Sequence, residues 1–144
     1  MVPELPGAVP EIPVSDLVAA TAYYRDRLSF RVDWLAPDIA LAGVSRDQCR
    51  LFLVGPAYRE ASGNAGPVST WLNLSGKAEV DALHRAWRLT DAVLLSEPES
   101  KPWGLHEFTA ADLDGNRFRV FYDFATAARE HAGAAAPDIA PPGV

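Results

Sequence analysis

The stretch Lys101-Pro102-Trp103-Gly104-Leu105-His106-Glu107-Phe108, followed closely by Asp112-Leu113-Asp114-Gly115-Asn116-Arg117, decides how this chain is read. Asp-Gly is a strong turn signal, because glycine tolerates the positive φ that a tight hairpin demands. Here it stands between two apolar, alternating runs, Glu107 to Ala111 and Arg117 to Tyr122. The stretch therefore reads as loop, strand, tight turn, strand, with Trp103 carried on the loop.

Working outward, the same plan occurs twice. Val9 to Val14 reads as a strand. Ser15-Asp16 caps a helix whose Leu17, Ala20, Tyr24 and Leu28 share one face. Three short apolar runs follow, Phe30 to Leu35, Ile39 to Val44 and Cys49 to Val54. In the second half Ser69 to Leu74 reads as a strand and Ser75-Gly76 opens a helix that buries Val80, Leu83 and Trp87. Strands are expected around Ala92 to Leu95, Glu107 to Ala111 and Arg117 to Tyr122. The two first strands lie about 60 residues apart, which marks a duplicated module and not a solenoid. The expected divisions are an N-terminal arm 1–8, a first βαβββ module 9–54, a linker loop 55–68, a second βαβββ module 69–124 and a C-terminal tail 125–144. Gly55 to Pro67 is too polar and too rich in glycine and proline to be read as an element.

Composition bounds the function. The chain has 144 residues, 49% of them hydrophobic and 22% charged, as expected of one soluble domain. It has no run of 18 apolar residues to cross a membrane, and Met1-Val2-Pro3-Glu4-Leu5-Pro6 has neither the basic region nor the apolar core of a signal peptide. A cytoplasmic location is expected. The net charge of −6 argues against nucleic acid; it attracts cationic small molecules at long range, but acidity serves solubility alone in many domains. The single cysteine, Cys49, excludes an internal disulfide and reads as an inert core residue. Trp87, at helix spacing, also reads as core. His106 and Glu107 are neighbours on a strand and must face opposite ways. His84 is expected to face solvent, and His131 falls in the tail. No phosphate loop, nucleophile elbow or defensible carboxylate pair is found.

The β-α-β-β-β plan, the run Val14-Ser15-Asp16-Leu17 with Tyr23-Tyr24-Arg25-Asp26-Arg27-Leu28-Ser29-Phe30, the strand Thr70-Trp71-Leu72-Asn73-Leu74 and the Pro-Trp-Gly loop together resemble the vicinal oxygen chelate (glyoxalase/bleomycin resistance/dioxygenase) superfamily, and within it the bleomycin resistance branch. The resemblance covers roughly residues 8 to 124. Ser29 stands where such sequences usually have glycine, which matters only if the position needs a positive φ. The resemblance implies an α+β fold in which two βαβββ modules form a curved mixed sheet around a cavity.

Metal-using members place ligands in the first and last strands of each module. Counted from Asp16 and Gly76, those positions fall on Val9 (or Pro10), near Leu51, on Ser69 or Thr70, and on Arg119. None is a metal donor, so no metal and no cofactor is expected. The same register puts Glu11, Trp71, Asn73, Arg117, Arg119 and Phe121 on the ligand-facing wall; Trp34 and Ile39 sit on the strands that form its curve, and Trp103 stands at its rim. What the resemblance then implies is a drug-binding protein that confers antibiotic resistance by sequestering a bulky aromatic, cationic compound of the bleomycin type. It would have no catalytic residues and would act as a homodimer with exchanged N-terminal arms. The alternative is an enzyme of the same superfamily, a lyase, isomerase or dioxygenase with displaced or absent metal, using Glu11, His106 and Glu107 as acid–base groups. A sensor or accessory domain is a third reading.

Overall fold

The computed structural model describes residues 2–132. Its first module contains β1 (Glu11–Pro13), α1 (Leu17–Asp26), β2 (Arg31–Ala36), β3 (Leu41–Arg46) and β4 (Cys49–Val54). A short helix α2 (Pro56–Ser62) precedes the second module, which contains β5 (Ser69–Asn73), α3 (Lys77–Leu89), β6 (Val93–Leu94), β7 (Glu99–Ser100), β8 (Leu105–Ala111) and β9 (Arg117–Asp123). Helix α4 (Phe124–Ala132) follows directly. The class is mixed α+β, with one open mixed sheet per module, ordered β1-β4-β3-β2 and β5-β9-β8-β6, β7 also pairing with β8. In both sheets the module's first strand runs parallel to its last, and the later hairpins are antiparallel.

Two compact units result. One holds the described residues up to Val68 together with Asp112–Asn116; the other holds Ser69–Ala111 and the described residues from Arg117 onward. The 112–116 turn belongs to the first unit because of its hydrogen bonds. The buried Asp112 carboxylate accepts from the Tyr24 hydroxyl at 2.7 Å, from the Asn116 amide at 2.8 Å and from the backbone N–H groups of Asp114 and Asn116. Asn116 also donates to the Pro13 carbonyl at 2.7 Å, and Ser15 N–H donates to Asp114 at 3.0 Å. A buried carboxylate with four donors has its desolvation offset by charge-assisted bonds.

In the first unit Asp16 caps α1 by accepting from Ala19 N–H at 3.0 Å. Ala20, Tyr24 and Leu28 are buried with Ile12, Val14, Val44, Leu51 and Leu53. Fully burying a large side chain of this kind contributes roughly 1.5–3 kcal/mol. In the second unit α3 buries Val80, His84 and Trp87, and both rings meet Phe108 edge-on, at 5.0 Å for His84 and 6.0 Å for Trp87.

Several sequence expectations need correction. Gly55 to Pro67 is not all loop: proline at the helix start loses no intrahelical bond there, and Gly63 ends α2 in the left-handed region at φ 75°. His84 is buried at 4% exposure, since it lies one turn from both Val80 and Trp87, while Leu83 is only half-buried. Ser29 does sit at positive φ, 62°. Ile39 lies on a 3-10 turn, Pro37–Ile39, and β3 starts only after Ala40 has turned left-handed. The second module has the extra two-residue strand β7. The tail expected from 125 begins as helix, with Asp123 accepting from Thr126 N–H at 2.8 Å. The Pro-rich remainder of that tail, 133–144, lies outside the described residues. Cys49 opens β4 half-buried, not in the core, and burial pushes its thiol up.

Candidate functional site

Each sheet has a core face and an opposite face, and the candidate residues on strands lie on the latter; Ile39 sits on a 3-10 turn and Trp103 on the loop before β8. In the second unit β5, β9 and β8 lie side by side, so Trp71 stands opposite Arg119, and Asn73 opposite Phe121, which in turn faces Glu107. The core face of the same strands carries Phe108, Ala110, Phe118 and Val120, all buried. The alternation follows from the two-residue period of a strand.

The result is a braced aromatic wall. The Arg119 guanidinium carbon lies 4.5 Å from the centroid of the Trp71 ring, and Trp71 meets Phe121 edge-on at 5.5 Å. Arg119 also pairs with the Glu107 carboxylate at 3.3 Å, which is 6% exposed. Trp103 Nε1–H reaches the other Glu107 oxygen at 3.5 Å, and the Lys101 ammonium lies 5.8 Å from the Trp103 ring. Stacking and ion pairing together fix the guanidinium, whose planar fork suits both. Trp71 nevertheless remains 42% exposed. Arg117 and Asn73 lie exposed on the same face.

The first unit has a smaller wall. Trp34, Gly43, Phe52 and Glu11 form one row across β2, β3, β4 and β1. Trp34 reaches this face only because β2 slips its register between Val32 and Trp34. Val32 pairs with the core residue Val44; without the slip Trp34 would pair with the buried Ala42 instead of Gly43. The extra residue, Asp33, is held by the Ser45 hydroxyl at 3.0 Å and by Arg31 at 2.8 Å, and these bonds lower its carboxyl below the usual range. The Trp34 ring meets Phe52 at 5.3 Å. Glu11 accepts from the Tyr58 hydroxyl on α2 at 2.8 Å, and that bond raises the phenol above its ordinary value. Tyr58 is hidden from a sequence reading because the proline and glycines around it read as loop.

Strand pairing also corrects one counted position. Glu11 pairs with Phe52 as Trp71 pairs with Arg119, so the partner of Arg119 in the first module is Phe52 and not Leu51, which is 1% exposed on the core face. Phe52 is no more a metal donor than Leu51. The donor chemistry at Phe52 and Arg119 does not fit a divalent cation, since a guanidinium repels one. Among the described residues no three His, Cys, Asp or Glu side chains gather as a metal-holding group. Of the candidate acid–base groups, Glu107 faces the Trp71 wall, whereas His106 faces the other way and bonds Asp81 and Ser100. His106 and Glu107 therefore do not share one site.

The chain is similar in fold to several solved structures. A glyoxalase/bleomycin resistance protein/dioxygenase from Nocardioides has a TM-score of 0.70 at 17% identity, with 96% of this chain and 93% of that chain covered. TioX from Micromonospora sp. ML1 has 0.67 at 18% identity, covering 81% and 98%. Lactoylglutathione lyase from Agrobacterium tumefaciens has 0.63 at 23% identity, covering 83% and 96%. At such identities the likeness is one of fold. No curated protein matches the sequence. The family model for the Glyoxalase/Bleomycin resistance protein/Dioxygenase superfamily matches residues 8–120.

Proposed function

We propose, since the chain belongs to the Glyoxalase/Bleomycin resistance protein/Dioxygenase superfamily, that it binds a bulky aromatic small molecule at the Trp71 wall and holds it with no bond made or broken. The observation that carries this reading is Trp71 itself, still 42% exposed while Arg119 and Phe121 brace it from two sides. A large ring kept exposed and already ordered offers stacking area with little entropy left to lose on binding. Glu107 offsets the Arg119 charge, so the wall can meet a flat apolar face without a net charge being buried.

Sequestration fits this chemistry. Protection by binding needs affinity and stoichiometry but no catalytic group, and a drug-sized aromatic antibiotic is the ligand class proposed. The net charge of −6 draws cationic members of that class at long range. A homodimer exchanging its N-terminal arms is part of the proposal, supported by an arm that is exposed from Val2 to Gly7. Deleting residues 1 to 8 should then shift the species seen by light scattering from dimer to monomer.

The binding test is a panel of aromatic antibiotics screened by tryptophan fluorescence and thermal shift, with and without divalent metals. Metal-independent stabilisation supports the binder. Metal-dependent stabilisation or turnover of the compound supports an enzyme instead.

A further inference from the structure

Ser100, His106 and Asp81 form a hydrogen-bonded chain on the core side of the second sheet, across from the Trp71 wall. Ser100 on β7 is the direct cross-strand partner of His106 on β8. The Ser100 hydroxyl lies 2.9 Å from His106 Nδ1, and His106 Nε2 lies 2.8 Å from the Asp81 carboxylate on α3. The imidazole is 12% exposed, Asp81 is 42% exposed, and Ser100 is exposed.

The partners constrain the proton positions. A carboxylate only accepts, so His106 must carry its hydrogen on Nε2, facing Asp81. In the neutral imidazole Nδ1 is then a lone pair, placed to accept the Ser100 hydroxyl proton. A hydroxyl donating to a basic imidazole nitrogen, with the other nitrogen anchored by a carboxylate, is the nucleophile, base and orienter set of acyl transfer, recognised by geometry and not by position in the chain. The half-buried imidazole is held from two sides, while the hydroxyl stays open to solvent and to substrate.

We propose that Ser100 is an acyl-accepting nucleophile, activated by His106 and oriented through Asp81, and that its substrates are activated esters. Ser100 Oγ attacks the ester carbonyl as its proton passes to His106 Nδ1. The tetrahedral adduct collapses, the C–O bond to the leaving group breaks, and His106 returns the proton to the departing oxygen. Water then attacks the acyl-serine by the same proton route, releasing the acid and restoring Ser100. An exposed serine on a two-residue edge strand has few walls around it. That suits aryl esters, whose leaving groups depart readily, and not amides.

The test uses the full chain with p-nitrophenyl acetate, followed by intact mass and peptide mapping, and with a fluorophosphonate probe. The expected result is an acetyl or phosphonyl adduct on Ser100, absent in Ser100→Ala. Labelling should be slowed at least about tenfold in His106→Gln and in Asp81→Asn, within the range general-base assistance supplies. Ser100→Cys should be labelled again by p-nitrophenyl acetate, which separates loss of the nucleophile from loss of folding. An adduct that forms elsewhere, that persists in Ser100→Ala, or that forms at unchanged rate in His106→Gln overturns the proposal. So does the absence of any adduct on the native chain.

Discussion

Trp34 lies directly across Gly43, and a Cβ built on Gly43 would stand 2.5 Å from the Trp34 ring. The absence of a side chain at 43 is thus what lets the indole lie over β3 and reach Phe52 on β4. Gly43→Ala should force the ring away and destabilise the protein by about 1–3 kcal/mol, the usual cost of overpacking. In Trp34→Ala the same change should cost much less. Denaturant unfolding of the two single variants and the double variant gives the coupling, and a cycle that sums to zero would show that ring and glycine do not interact.

Ser29 holds φ at 62° in the turn between α1 and β2. The left-handed region costs a residue with a Cβ roughly 1–2 kcal/mol, and glycine escapes that cost but loses more chain entropy on folding. Ser29→Gly should therefore stabilise by about 0.5–1 kcal/mol. Thermal unfolding decides it: a lower midpoint for the glycine variant would mean that the exposed serine side chain is worth more than its strain.

Burial, then the neighbouring Asp112 charge, push the Tyr24 phenol well above its ordinary value. The folded protein thus keeps this proton where the unfolded chain would release it. The contribution is fully present below pH of about 10, the unfolded value, and is lost as pH rises from there toward the folded value. Stability should fall with pH above about 10, and less steeply in Tyr24→Phe. That variant starts about 1–3 kcal/mol lower at neutral pH, because Asp112 loses one donor. Equal alkaline slopes in the two proteins would remove Tyr24 from this role.

Much of the architecture was legible because it rests on local signals. Asp16 before an apolar face marked α1, and Asp114-Gly115 marked the β8–β9 turn. Alternation along two uninterrupted strands puts Trp71 and Arg119 each on the face turned from the core, but their direct pairing is visible only in the structure. What escaped depends on contacts made at a distance or on slips of register. Nothing in Val32-Asp33-Trp34 announces the irregularity that turns Trp34 off the core face. Charged neighbours on α3 hide that His84 shares the Val80 and Trp87 face. The two residues of β7 are too few to show a period, so the Ser100–His106 pair could not be foreseen. Tyr58 is hidden with α2, whose proline and glycine read as loop punctuation although they bracket a helix.

The tryptophans separate binding from folding. Trp71 is 42% exposed and stacked on Arg119, Trp103 hydrogen-bonds Glu107, and Trp87 is 1% exposed against Phe108. Trp71→Ala and Trp103→Ala should leave the fold intact and weaken an aromatic ligand found in the screen by about tenfold to a hundredfold, or roughly 1–3 kcal/mol. Trp103 should show the smaller loss, because it acts on the wall through Glu107 while Trp71 offers its own ring. Trp87→Ala should instead lower stability by roughly 3–5 kcal/mol, since it empties a space among packed rings. Calorimetric titration of the folded variants, set beside their denaturation curves, distinguishes the two effects. Undiminished affinity in both Trp71→Ala and Trp103→Ala would move the ligand off this wall, leaving the ordered rings around Arg119 as a device of the fold alone.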